Sequence, residues 1–184
     1  MTPTSVTRTI APAGTWSLDP ARSTVDFAIR HLMVATVHGH FAGFAGSLRV
    51  DGDGDARATG TIHAATLETG NPVRDGRLHG PEFFDADRHP DIRFRSTAIE
   101  RLSENRWTVS GELTIKHITR RVELRARRLA PAEGLIQLRL IGRLSRTEFG
   151  IASAELLNAG ISDTVNLKLH ITLAPAPNDW PAAR

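Results

Sequence analysis

The chain has 184 residues, with 23 Lys+Arg against 20 Asp+Glu and a formal net charge of +3. That length suits one domain with a core large enough to need no covalent staples. The lack of cysteine excludes disulfides, thiolate metal sites and a cysteine nucleophile. The high pI, about 10.4, reflects arginine used in place of lysine and is no argument for nucleic acid.

Residues 1–13 are rich in Thr, Ser, Pro and Ala and carry no apolar run of the secretory-signal kind. They are expected to form a flexible segment before a single domain over 14–174. No stretch approaches the roughly 18 apolar residues of a membrane-spanning helix, so the expected location is cytoplasmic. From residue 23 the dominant period is two. Val25, Phe27 and Ile29 share a face over 23–32. Over 36–50, Val37, Gly39 and Phe41 oppose His38 and His40, and then the parity slips, so that Phe44, Leu48 and Val50 fit the other phase. One extra residue near Gly43 restores register, which predicts a β-bulge that turns Phe44 inward. Asp51-Gly52-Asp53-Gly54-Asp55 reads as a turn; a calcium loop would need an acidic ligand where Ile62 stands. Gly60, Ile62 and Ala64 share a face over 58–67.

The alternation stops at Thr69 and resumes at 91. Between lie the Gly70-Asn71-Pro72 turn signal, the Arg74-Asp75 pair, Phe83-Phe84 and His89-Pro90, with short helical segments expected over 72–88. The pattern then returns four more times with the same clarity after Ile92 and Phe94. Trp107, Val109, Gly111, Leu113 and Ile115 align over 106–115; Val122, Leu124 and Ala126 oppose Arg121, Glu123, Arg125 and Arg127; Ile136, Leu138, Leu140, Gly142 and Leu144 align over 135–147; and Val165, Leu167, Leu169, Ile171 and Leu173 close the series. Residues 175–184, rich in proline, read as a tail.

Eight one-sided strands with short polar links are the pattern of half-buried antiparallel sheet. Eight such strands can close on themselves and remove their edges, so the predicted fold class is all-β: an eight-stranded antiparallel barrel. A barrel of that size is filled by side chains or holds one small ligand. Gly39, Gly60, Gly111 and Gly142 fall on the inward face of different strands. They either let the sheet coil or also leave room inside.

No phosphate loop, dinucleotide fingerprint, metalloprotease helix or nucleophile elbow is present. His38 and His40 could share a metal, but their parity puts them on the outer face, where solvation is the plainer role. His31 shares the parity of Phe27 and Ile29 and is expected to point inward near the end of its strand. Arg121, Arg125 and Arg127 form a basic outer face without interleaved aromatics, which argues against nucleic acid. Arg74 and Asp75 are expected to tie their loop to the barrel. Glu82, Asp85 and Asp87 could supply an acid/base pair but equally suit a surface helix, and at least one of Phe83 and Phe84 should plug the barrel.

From Trp16 to Leu173 the chain resembles the YceI-like family. The pieces occur in order: Trp16-Ser17-Leu18-Asp19, Ser23-Thr24-Val25-Asp26-Phe27, Val37-x-Gly39-x-Phe41, Thr69-Gly70-Asn71, Arg74-Asp75, Phe83-Phe84-Asp85, Ile92-x-Phe94-x-Ser96, Gly111-x-Leu113-Thr114-Ile115 and Phe149-Gly150-Ile151. His117 stands where that family usually has glycine, and Arg121 where it often has proline, which touches a turn. The resemblance implies a lipocalin-like barrel with a long apolar tunnel. It also implies non-covalent binding, transport or storage of a long-chain amphiphilic lipid such as a polyisoprenoid, an isoprenoid quinone or a fatty-acyl compound. On that reading Phe27, Ile29, Phe41, Phe44, Phe94, Val109, Leu113, Leu140 and Phe149 form the wall, His31 and Phe84 the mouth, and Asn71, Arg74 and Asp75 a structural loop. No catalytic residue, metal or cofactor is expected beyond the lipid itself. The partner is that lipid and not nucleic acid, with transient membrane-surface contact and a homodimer left open. Two rivals remain: an enzyme using His31 or the Glu82–Asp87 acids on an isoprenoid or acyl substrate, and a binder of anionic membrane or nucleic acid through the Arg121–Arg127 face.

Overall fold

The computed structural model describes residues 9–32, 34–129, 134–151 and 160–177. The order is β1 (Gly14–Leu18), β2 (Thr24–His31), β3 (Ala35–Phe41), β4 (Phe44–Val50), β5 (Ala56–His63), β6 (Leu67–Glu68), α1 (Pro72–His79), β7 (Asp91–Ser103), β8 (Arg106–Ile115), β9 (Ile118–Arg128), β10 (Ile136–Ser145) and β11 (Ile161–Pro175). Neighbours pair antiparallel in the order β1-β4-β5-β7-β8-β9-β10-β11, and β11 returns to β1 through Leu18↔Leu173 and Trp16↔Pro175. The molecule is thus the closed eight-stranded antiparallel barrel that the alternation predicts, with one short α-helix among the described residues.

Among the described residues eleven strands build eight barrel positions because some are broken. The 15 residues of β11 serve two neighbours: its last part pairs with β1, and the stretch before it pairs with β2 from His170↔Thr24 to Ile161↔His31. The break between β1 and β2 is a 3-10 turn at Pro20–Arg22, started by the Asp19 side chain accepting from the Ala21 N–H. It is pinned where β11 passes: the Thr172 N–H donates to Ser23 Oγ (3.0 Å) and the Thr172 hydroxyl to the Arg22 carbonyl (2.8 Å). β1 itself was not legible as a strand, since all five of its residues are half-buried.

The parity slip in 36–50 has a different cause from the bulge predicted there. The chain breaks at Ala42–Gly43 into β3, which pairs with β2 and β6, and β4, which pairs with β1 and β5. At this corner the ladder is replaced by other partners: the Ala42 N–H donates to the Thr66 carbonyl, the Gly43 N–H to Thr66 Oγ1, and the His63 N–H to the Gly43 carbonyl. Phe44 does turn inward and is buried. A register shift is found instead in β7 between Ser96 and Ala98. There the Ala58 N–H takes the Ser96 hydroxyl as its acceptor (2.8 Å), which satisfies a donor the ladder leaves over. In the two-residue turn after β8, Lys116 takes the left-handed conformation (φ 55°) while His117 does not. The turn therefore needs no glycine at 117.

The turns divide between two ends. The β4–β5, β7–β8 and β9–β10 connections lie at one end; the β2–β3, β5–β7, β8–β9 and β10–β11 connections lie at the other. The first end is closed by residues that precede β1. Ile10 (2 % exposed) and Ala11 (0 %) are buried against Leu48, Trp107, Ala126, Ile136 and Leu173. These two positions fall in the segment 1–13 that was expected to be flexible; residues 1–8 and 178–184 lie outside the described part. At the second end α1 lies against β6, beside β3. Asn71 caps α1 by accepting from the Arg74 N–H (3.0 Å), with Pro72 at its first position. Among the described residues no helix is long and apolar enough to cross a membrane.

Candidate functional site

Alternation sends one face of every strand inward, and the inward faces enclose a cavity of about 670 Å³. It runs from the closed end, where Ile10, Leu138 and Leu173 touch it, to the opposite end, where His31, Ile151, Ile161 and the α1 residues Val73, Arg74 and Arg77 border it. The barrel is therefore hollow, not filled by its own side chains. The wall is overwhelmingly aliphatic and aromatic. Phe27, Ile29, Phe41, Phe44 and Phe94 line it from β2, β3, β4 and β7. Val109, Leu113, Leu140 and Phe149 line it from β8, β10 and the turn that follows β10. His31 and Phe84, the residues expected at the mouth, also border it. Phe41 stacks edge-on against Phe84 (centroids 6.0 Å apart) and tilted against Phe27 (5.7 Å), a continuous aromatic patch. Phe83, beside Phe84, is buried, so both aromatics of the pair serve the interior.

Three of the four inward glycines do not leave the space that one reading assigned to them; Gly60 is the exception, where an added Cβ would meet nothing closer than 3.9 Å. A Cβ on Gly39 would collide with the Phe27 ring, one on Gly111 would lie 2.5 Å from the Phe94 ring, and one on Gly142 would collide with Leu124. Phe27 and Gly39 are direct cross-strand partners, as are Leu124 and Gly142. Each of the three thus lets a large neighbour lie flat against the wall, and the cavity exists because those side chains stay down.

Polar groups collect at the mouth. Arg146, 4 % exposed, borders the cavity and donates through Nε to the Ser162 carbonyl (2.9 Å), and through its two terminal nitrogens to the Ile151 and Ile161 carbonyls (3.2 Å each). It clamps both ends of the β10–β11 connection. Its position continues the inward parity of Leu140, Gly142 and Leu144, a signal the sequence reading did not use. On α1, Arg74 donates to Thr69 Oγ1 (2.7 Å) and to the Thr69 carbonyl (3.0 Å). The Asp75 carboxylate accepts from the Thr69 backbone N–H (3.0 Å) and from its hydroxyl. Burial alone would raise the Asp75 pKa, but the Thr69 hydrogen bonds and the Arg74 and His79 charges hold it below the ordinary carboxylate value. The pair therefore fastens the helix to the strand end before it, while Asn71 and Arg74 also border the cavity.

The acidic cluster is not brought to the cavity. Glu82 and Asp87 are exposed, and Asp85 pairs with Arg88 (3.9 Å) and His89 (4.0 Å). His38 and His40 stand on the outer face, His40 beside Glu68 (3.5 Å). No cluster of three or more metal-ligating side chains is found among the described residues.

A closed eight-stranded barrel around one apolar cavity with polar groups gathered at its mouth defines a lipocalin-like protein. The chain belongs to the YceI-like family: the YceI-like domain model matches residues 16–173. A UPF0312 protein of Staphylococcus aureus is 32 % identical over 155 residues, covering 79 % of this chain and 86 % of the relative. The crystal structure of Burkholderia cenocepacia BcnA superposes with a TM-score of 0.77 at 23 % identity, covering 84 % of this chain and 98 % of that one. A polyisoprenoid binding domain from Saccharophagus degradans, implicated in plant cell wall breakdown, superposes with a TM-score of 0.72 at 15 % identity, covering 88 % and 98 %.

Proposed function

We propose that the protein binds one long-chain amphiphilic lipid non-covalently in the barrel, as a carrier or store, with no catalytic step and no cofactor. The observation that carries this is the cavity itself: about 670 Å³, walled mainly by aliphatic and aromatic side chains, with His31, Arg74, Arg77 and Arg146 gathered at one end. That volume falls within the roughly 300–1,000 Å³ typical of small-molecule sites. A hydrocarbon chain gains about 0.8 kcal/mol per buried CH₂ before the costs of binding, and asks little of the wall beyond being apolar. A polyisoprenoid, an isoprenoid quinone tail and a fatty-acyl chain all meet that demand. The family membership and the description of the Saccharophagus degradans domain support the same class of ligand.

The test is mass spectrometry of an organic extract of freshly purified protein, beside an unrelated protein from the same host. Stoichiometric recovery of an isoprenoid, quinone or acyl lipid is the expected result. If the extract is empty and the protein takes up none of these lipids when they are offered, the proposal fails.

A further inference from the structure

The outer wall carries a second feature that the cavity does not explain. On β8, β9 and β10 the exposed side chains are dominated by arginine, and the register sets them opposite one another. Arg127 faces Arg106 on one side and Arg139 on the other, one unbroken rung of three arginines. In the next rung Arg125 faces Ile141, which in turn faces Lys168 of β11. Arg143 and Arg121 extend the patch toward the mouth, with Glu123 the acidic residue among them. Among the described residues none of Arg106, Arg125, Arg127, Arg139 or Arg143 has an ion-pair partner; the neighbouring Glu112 is engaged by Arg95 (3.1 Å). Like charges directly opposite in a sheet destabilise it, so this arrangement works against the fold.

We propose that this wall is a docking surface for an anionic lipid bilayer, held by phosphate-bearing headgroups against the arginine rungs. Arginine matches phosphate oxygens of any source through paired donors, and two observations favour a bilayer over nucleic acid. The centre of the patch is Ile141, an exposed aliphatic side chain (47 % exposed) that suits a headgroup–acyl boundary. No aromatic stands on the outer face of these strands to stack a base, because Trp107 is buried inside. The choice of a bilayer also rests on the lipid-binding reading above, since cargo that is insoluble in water must be collected from and delivered to membranes. Docked on this wall, the barrel lies on its side with its mouth facing along the surface.

The experiment is flotation of the full chain with vesicles of phosphatidylcholine alone and of phosphatidylcholine mixed with phosphatidylglycerol, over a range of salt. Uptake of a dansylated long-chain fatty acid is measured in parallel. The protein should float with the mixed vesicles only, and should release as salt rises. Arg125→Gln with Arg127→Gln should weaken vesicle binding about 25-fold, about fivefold per arginine, and leave fatty-acid uptake unchanged. Arg127→Glu should abolish flotation yet raise the melting temperature, because it turns a repulsive rung into two cross-strand ion pairs. Equal binding to both vesicle types, undiminished binding by the double variant, or tighter binding to a single-stranded oligonucleotide at matched salt overturns the docking proposal. Loss of fatty-acid uptake in protein that still floats would count against the cavity reading instead.

Discussion

Phe94 shows how much one side chain decides here. It lies between Gly60, its partner on β5, and Gly111, diagonal to it on β8, and its ring occupies the space a Cβ at 111 would need. Gly111→Ala should therefore push the ring toward the cavity and crowd the Arg95 carbonyl, which lies 2.6 Å from the same Cβ position. Overpacking of this kind costs about 1–3 kcal/mol, and bound lipid per barrel should fall; thermal denaturation with a lipid-uptake assay reads both. Phe41→Asp and Val109→Asp should each cut lipid affinity by about tenfold or more, because each sets a carboxylate in an apolar space. Unchanged affinity in either folded variant would remove that residue from the wall. Such residues were readable before the fold was known, since a strand has two faces and the parity of Val109 and Leu113 follows from their neighbours. Ile10 was not readable: a single apolar residue in a Thr/Pro/Ala stretch has no period, and its burial depends on a barrel end built from distant strands.

At the scale of elements, the mouth is held by two small clamps. Arg146 joins the end of β10 to the start of β11, and Arg146→Met would strip a charged donor from three carbonyls. The expected loss is about 3 kcal/mol or more, a fall of roughly 6–12 °C in melting temperature for a chain of this size. The second clamp is α1. Because the Asp75 pKa is lowered in the folded state, its contribution is complete above the ordinary carboxylate pKa and is lost as pH falls through the depressed value. Amide protection over 73–79, relative to the intrinsic exchange rate at each pH, should thus hold at neutral and mildly acidic pH and fall only in strong acid; Asp75→Asn should lower it at neutral pH. Short helical segments were expected over 72–88 where the alternation stops, but Asn71-Pro72 was read only as a turn, whereas it caps and begins α1. The break at Ala42–Gly43 showed only as a slip of phase, which a bulge and a corner produce alike. Telling them apart needs the partners, Thr66 and His63, that a lone strand does not name.

At the scale of the molecule, residues from every strand of the barrel line the cavity, so a ligand that binds only the closed form must stabilise the whole barrel. A lipid at a hundredfold excess over its dissociation constant contributes about 2.7 kcal/mol, and the melting temperature should rise by roughly 5–11 °C. A rise confined to probes of α1 would instead place the lipid on the surface of the mouth. The eight-fold closure was legible because eight alternating stretches have few other ways to bury one face each. The seam was not, because it joins β1, which the periodicity does not mark, to the far end of β11.

That seam has a consequence for how the protein is made. Trp16 and Leu18 pair with Pro175 and Leu173, so the barrel joins segments more than 150 residues apart in the chain. Closure between segments so distant in sequence is slow. While the chain is being synthesised the sheet is an open trough with raw edges and an uncovered greasy face, the kind of intermediate that aggregates. Only when β11 emerges do the two edges meet. The vessel and its capacity to hold anything therefore arise in a single event, once β11 has emerged.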